Sequence, residues 1–311
     1  MARNLKGLIT SLIVASVIGL FYFLEMLTPL ELSLGYDYTF LLKKKVSSIP
    51  NIKIIGIDPK SLEKVGSFPW RRDLYADLIK YLGNNPKVIG FDILLSESSL
   101  YPEDDIVLSK EIKKSKKIVL PVSLENDPEN NSKLAFFFPI PEFSNNSKAL
   151  GIVNFTTDDD GIVRKTKVFQ ETETTNKRIN IFSYELAKVY LDKENLNLPE
   201  TIYCNFQGQN EIFSIYPFYD VISGKVPPET FKDSVVIVGA LAEGLQDRLS
   251  SPLGTMEGVV YHAQLVSNIL KNDYIVPTSK SLNIMFIFIV AICSYLIWKY
   301  LETINQVITI I

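Results

Sequence analysis

Apolar positions fall into two patterns along the chain. Short runs at Ile52–Ile57, Val88–Leu94, Ile118–Val122, Ile152–Phe155, Ile162–Phe169, Ile202–Phe206 and Val235–Val238 predict strands, each bounded by turn or polar residues. Between them Arg72–Leu82, Asp104–Lys114, Ile179–Leu191, Tyr216–Ser223 and Val259–Leu270 read as helices. This alternation predicts an α/β fold: a mostly parallel or mixed sheet flanked by helices. In "TTDDDGIVRKTKV" the pair Asp160-Gly161 predicts a hairpin turn. The polar stretches 125–133 and 145–148 read as surface connections, and Phe136-Phe137-Phe138 as a buried or docking strand.

The ends carry the second pattern. Leu8–Leu24, "LITSLIVASVIGLFYFL", holds no charge over 17 residues, enough to cross a bilayer at about 1.5 Å per residue. Arg3 and Lys6 precede it, and Glu25, Glu31 and Asp37 follow, which orients the N-terminus toward the cytoplasm. A cleaved signal peptide is the rival, but "FYFLEMLTPLEL" offers no small-x-small cleavage site. A second apolar run, Leu282–Trp298, is broken only by Asn283. These runs predict a cytoplasmic segment 1–7, a span 8–24, an extracytoplasmic domain 25–280 and a span 281–298. A short cytoplasmic loop 299–303 and the start of a third span, 304–311, follow. From 25 to 50 the chain leaves the membrane in an amphipathic stretch ending in the solvated triplet Lys43-Lys44-Lys45.

Composition narrows the chemistry. The 311 residues carry a formal net charge of −3, so no basic footprint argues for nucleic acid. One histidine, His262, excludes sites built from several imidazoles. The only cysteines are Cys204 and Cys293, the latter inside an apolar run, which argues against a structural disulfide and excludes CxxC metal motifs. No Gly-x-Ser-x-Gly elbow is present. Gly239-Ala-Leu-Ala-Glu-Gly244 follows a strand but lacks the order of a dinucleotide or phosphate-binding loop. Its glycines read instead as a sharp turn that walls a pocket. No cofactor or metal is expected.

Candidate site residues come from the strand ends. Asp58 ends the first run and Asp92 lies within the second, so neighbouring parallel strands would bring both acids toward the sheet edge where α/β proteins bind ligands. The structural alternative for Asp58 is a helix cap, since Asp58-Pro59 is a helix-initiating pair. Arg72 opens a helix after Pro69-Trp70 and can pair with either acid. Asp247 follows the Gly239 loop. His262 reads as a hydrogen-bonded structural residue or as a pH-sensitive group beside Asp247.

At this point "IDPKSLEKVGSFPWRRDLYADLI", "VIGFDILLSE", "TTDDDGIVRK" and "VVIVGALAEGLQDRLSSPLGTMEGVVYHAQLVSNIL", in that order over residues 35–275, resemble the CHASE2 domain. That family comprises extracytoplasmic sensory domains of bacterial transmembrane receptors. Its motif positions fall here on Asp58, Ser61, Gly66, Pro69, Trp70, Arg72, Asp92, Asp160, Gly161, Arg164, Gly239, Asp247, Pro252, Gly258, His262 and Ala263.

The resemblance implies a sensory input domain of a multi-pass protein of the inner (cytoplasmic) membrane. A small-molecule or environmental signal would be relayed to a cytoplasmic cyclase or kinase module. The chain itself would not be an enzyme, and a homodimer is compatible. Asp58, Arg72, Asp92, Asp247 and His262 are the ligand-binding candidates, converging on one sheet edge. Two alternatives stay open: a structural or dimerisation module, and an extracytoplasmic metal-dependent hydrolase using the acids.

Overall fold

A computed structural model describes residues 2–43, 49, 51–127, 133–171, 177–245 and 247–310. Lys44 and Lys45 of the lysine triplet, residues 128–132 of the 125–133 connection, and Gln246 in the loop before Asp247 lie outside the described residues. Two compact units emerge: Met1–Leu42 with Pro277–Ile311, and Lys43–Val276.

In the terminal unit, helix α1 (Ala2–Phe23) packs antiparallel to the helix Lys280–Ile310. Gly7 meets Tyr295 and Trp298, Gly19 meets Ile284 and Phe288, and Asn283 Nδ2 donates to the Tyr22 hydroxyl at 2.6 Å. Gly7, Ser11, Ala15 and Gly19 recur every fourth residue and so share one face. Their small side chains let the two backbones approach, as apolar helix pairs require. Leu5–Phe23 and Lys280–Leu301 are long and apolar enough to cross a membrane, with mean hydropathies of 1.9 and 2.2. The second helix continues without a break through Lys299 and Glu302, where the apolar run of the sequence pauses. After α1 come α2 (Thr28–Leu30), a π-helical stretch Glu31–Asp37 and α3 (Tyr38–Leu42), with Leu30, Leu34 and Leu42 exposed.

The larger unit is α/β. Its strands are β1 (Ile52–Ile57), β2 (Val88–Phe91), β3 (Ile118–Asn126), β4 (Leu134–Phe137), β5 (Ala149–Ile152), β6 (Lys165–Lys167), β7 (Phe169–Glu171), β8 (Arg178–Asn180), β9 (Thr201–Tyr203), β10 (Ser214–Pro217), β11 (Val235–Ala240), β12 (Arg248–Ser251) and β13 (Gly254–Glu257). Its helices are α4 (Pro59–Val65), α5 (Asp73–Leu82), α6 (Pro102–Ser115), α7 (Pro141–Ser144), α8 (Phe182–Tyr190), α9 (Phe218–Ile222) and α10 (Gly258–Lys271). Strands β10, β1, β11, β2, β3 and β5 pair in that order, all parallel, and β4 adds antiparallel to the far end of β3. The mixed sheet flanked by helices is the one the alternation predicts.

Both faces of the parallel strands are covered, which is why they read as continuous apolar runs rather than alternating ones. Ile55, Ile57, Ile89, Phe91, Val236 and Val238 join Tyr75, Leu78, Leu108, Ile112 and Phe218 in one core under α5, α6 and α9. Full burial of each such side chain contributes about 1.5–3 kcal/mol. On the opposite face α8 and α10 press close. A Cβ at Gly90 would lie 2.6 Å from Phe182 Cζ, and one at Gly239 would lie 2.9 Å from Val259 Cβ. Gly239 therefore serves close helix–strand approach inside β11, not the sharp turn its sequence suggests.

The structure departs from the sequence reading at other points. Asp160-Gly161 does make a turn, with Gly161 at φ 78° and its N–H donating to the Asp158 carbonyl. The flanking segments do not form a hairpin, because β5 pairs with β3 and β6 with β9. What closes the turn is Arg164, buried and bonded to Asp158 at 3.1 Å and to Asp160 at 2.7 and 2.9 Å. The strand predicted to reach Phe206 ends at Tyr203, because α10 side chains replace a neighbouring strand beyond it. Asn268 accepts from the Asn205 N–H and donates to its carbonyl, while Gln264 accepts from the Gln207 N–H and donates to the Gly208 carbonyl. Phe136, in β4, is buried against Val122 and Ile152, as the aromatic triplet suggests.

Candidate functional site

The carboxyl edge of the parallel sheet gathers the segments that follow β1, β2 and β11. Strand register sets their relation: Val238 lies opposite Phe91, and the Asp92 N–H donates to the Val238 carbonyl at 2.7 Å. Side chains alternate along β2. Phe91 enters the core under α5, so Asp92 turns to the other face, where its Cβ would lie 3.2 Å from a Cβ on Gly239.

At this edge a cavity of about 390 Å³ opens. Phe68, Trp70, Tyr75 and Phe155 line it with Ile57, Leu95, Val153 and Leu245, and its charged members are Arg72, Asp92 and Asp247. Leu94, half exposed, also lines it. Trp70 is fixed by its indole N–H, which donates to the Gly66 carbonyl at 2.8 Å, and by packing on Phe218. The Tyr75 ring sits edge-on to Phe91 and Phe218. Among the described residues its hydroxyl, which is buried, has no hydrogen-bond partner, and burial raises the phenol against the opposing pull of Arg72.

The predicted residues divide. Asp92 and Asp247 line the cavity together, and His262 lies just behind, its Nε2 3.9 Å from Asp92 Oδ2. Arg72 lines it too, but pairs with neither Asp58 nor Asp92. Its Nη1 donates to Asp105 Oδ1 at 2.5 Å, its Nη2 donates to the Glu97 carbonyl, and its guanidinium stands over the Phe143 ring. Asp105 also accepts from the Ser99 N–H at 2.9 Å. Arg71 repeats the arrangement with Asp104 through two bonds of 2.7 and 3.0 Å. The N-terminal turn of α6 thus holds the arginine pair, because buried Asp104 and Asp105 must be neutralised. Asp58 ends β1 at the same edge but does not line the cavity. Its carboxylate caps α4, accepting from the Ser61 N–H at 2.9 Å, which is the structural alternative its proline neighbour suggests.

The Asp92 cluster has no such closure. Among the described residues, Asp92 Oδ2 and His262 Nε2 are both buried without hydrogen-bond partners, and 3.9 Å is too long for one between them. The imidazole is wedged between Phe155 and Phe182, its Nδ1 3.2 Å from the Ser183 hydroxyl. Burial pushes His262 down to about 3, only partly opposed by the Val153 backbone, so it is neutral at ordinary pH. Burial, and then the Asp247 charge, hold the Asp92 carboxyl well above the usual carboxylate range. Asp247 is pushed up to about 6 by burial and then by Glu257. Glu257 itself is engaged by Arg248 at 3.2 Å.

Sequence reasoning missed Asp104, Asp105 and Tyr75. The adjacent Asp-Asp and Arg-Arg doublets were the available signal for the first two. Tyr75 reads as one more core position of an amphipathic helix.

The larger unit is thus a parallel α/β sheet with a part-polar cavity at its carboxyl edge, and an apolar helix lies at either end of the chain. The CHASE2 domain model matches residues 11–297, most of the chain, and the protein belongs to the CHASE2 family, sensory domains of signalling receptors. The match runs into both apolar terminal helices. Comparisons with curated proteins and with solved structures give no match.

Proposed function

We propose that this chain is the input part of a membrane-bound signalling receptor. The Lys43–Val276 unit lies outside the cytoplasm and binds a small molecule in the carboxyl-edge cavity. The full-length receptor passes that event to a cytoplasmic cyclase or kinase module, and the chain itself performs no catalysis. The observation that carries this reading is an apolar wall beside Tyr75 OH and Asp92 Oδ2, buried polar atoms that lack partners among the described residues. Natural interiors rarely leave such atoms unpaired, and sites that do so are candidates for a ligand. A homodimer is supported by exposed Leu100, Ile106 and Val107 around α6.

Filling the cavity tests the binding role. Ala240 lines it, so Ala240→Phe in the full-length receptor should fix the output at one level and abolish its response to stimulus. A response of wild-type size in a folded Ala240→Phe receptor would refute the site. Topology has its own check: Asp127→Cys should react with a membrane-impermeant maleimide in intact cells. Protection until the membrane is permeabilised would overturn the extracytoplasmic placement.

A further inference from the structure

The charges around the cavity are unevenly spent. Arg72, the one guanidinium lining it among the described residues, has both terminal nitrogens engaged by Asp105 and the Glu97 carbonyl. Asp92 and Asp247 line the same space, and among the described residues no lysine or arginine forms an ion pair with either. His262 behind Asp92 is neutral. The cavity therefore offers acceptors, not a free cation: the carboxyl groups of Asp92 and Asp247, with Tyr75 in the wall beside them. Its remaining surface is aromatic and aliphatic, with Phe68, Trp70 and Phe155 among the walls.

We propose that the cavity takes a protonated amine carried on an apolar or aromatic body, its ammonium group held by Asp92 and Asp247. This deepens the sensory reading above and rests on it. An ammonium group brings three N–H donors and no acceptor, which suits carboxylate and phenol oxygens without leaving a ligand atom unpaired. Aromatic rings attract cations by their faces, and the apolar body fills the rest of the space. An anionic ligand would meet two acids and an arginine already neutralised. A neutral apolar ligand would leave Asp92 Oδ2 and Tyr75 OH as they are, buried and unpaired.

The geometry also makes binding depend on pH. Ammonium binding requires the acids to ionise, so it displaces protons from Asp92 and Asp247, and affinity should rise as pH rises through the range in which they titrate. The groups facing them are His262 from α10, Glu257 and its partner Arg248 from β13 and β12, Tyr75 from α5, and Arg72 held by Asp105.

The test uses the full chain in lipid nanodiscs and three molecules on one indole skeleton: tryptamine, tryptophol and indole-3-propionate, measured by calorimetry. Tryptamine should bind at least tenfold more tightly than tryptophol, with indole-3-propionate weakest. Asp92→Asn and Asp247→Asn should each weaken tryptamine about tenfold, and its affinity should fall several-fold from pH 7.5 to pH 5. Unfolding curves of both variants confirm that they are folded. Tryptophol or indole-3-propionate binding as tightly as tryptamine, tryptamine binding indifferent to both variants, or no tryptamine binding would overturn the proposal. Indole-3-propionate binding that Ala240→Phe abolishes would refute the cation and leave the sensory cavity standing. Loss of all stimulus response would have to fail in Ala240→Phe for the cavity itself to be wrong.

Discussion

Two groups of buried charge in the Lys43–Val276 unit are satisfied in opposite ways. Arg71-Arg72 and Asp104-Asp105 close on one another: each arginine finds an aspartate, and the Glu97 carbonyl and Ser99 N–H complete the set. Asp92 and His262 are also withdrawn from water and Asp247 partly so, but among the described residues no lysine or arginine pairs with them, and Asp92 Oδ2 and His262 Nε2 have no hydrogen-bond partner. The first arrangement stabilises the fold only as long as both partners remain, since removing one strands the other. The second stores a desolvation cost that an incoming ligand can relieve. Similar residue types at similar depth thus do different work, and the hydrogen-bond inventory tells them apart.

The comparison breaks most easily at Arg72. Arg72→Ala leaves Asp105 buried without its charge, and equilibrium unfolding should show a loss of about 3–5 kcal/mol. A loss below about 1 kcal/mol would place the arginine outside the structural group.

His262 sharpens it through pH. Its folded pKa, about 3, lies below the ordinary 6.5, so the stability it contributes is present above pH 6.5 and is lost as pH falls toward 3. Relative to His262→Asn, wild type should lose on the order of 2–3 kcal/mol between pH 7 and pH 4.5. Parallel stability profiles would show the imidazole to be solvated.

Asp247 has the opposite sign. Its folded pKa, about 6, lies above the ordinary 3.8, so its contribution is intact below pH 3.8 and diminishes as pH rises through 6. Relative to Asp247→Asn, wild type should lose on the order of 2 kcal/mol between pH 4 and pH 7.5. A gain over that interval would mean that a counter-charge pairs with it.

The smallest effect belongs to Arg71. Its side chain is half exposed whereas that of Arg72 is largely buried, so Arg71→Ala should lower the unfolding midpoint less than Arg72→Ala does. A loss matching that of Arg72→Ala would make exposure irrelevant to the pairing.

The sheet was legible because its central strands are apolar apart from Lys53 of β1: β1, β2 and β11 lie where Ile52–Ile57, Val88 onward and Val235 onward place them. Short or polar strands were not. β10 is four residues long, and the β12–β13 hairpin reads "RLSS" and "GTME", with no apolar run to mark it. The turn at Asp160-Gly161 was legible but its consequence was not, since Arg164 folds back on the turn acids from four residues on. At the site, Asp92 reads as lying within its strand but follows β2, which ends at Phe91, and Asp247 lies in the loop that follows β11. The partner of Arg72 could not be placed, because α6 acids look like ordinary helix N-terminal charge until the fold packs α5 against α6.

The claim that one cluster holds the fold while the other awaits a ligand is tested most directly by unfolding Asp105→Asn beside Asp92→Asn at pH 7.5. Both changes replace one buried carboxyl group by an amide and keep the shape of the side chain. The account predicts that Asp105→Asn loses about 3 kcal/mol, while Asp92→Asn is as stable as wild type or more so, since its charge has no partner to lose. A comparable loss in both variants would contradict it, by showing that Asp92 is already paired in the fold.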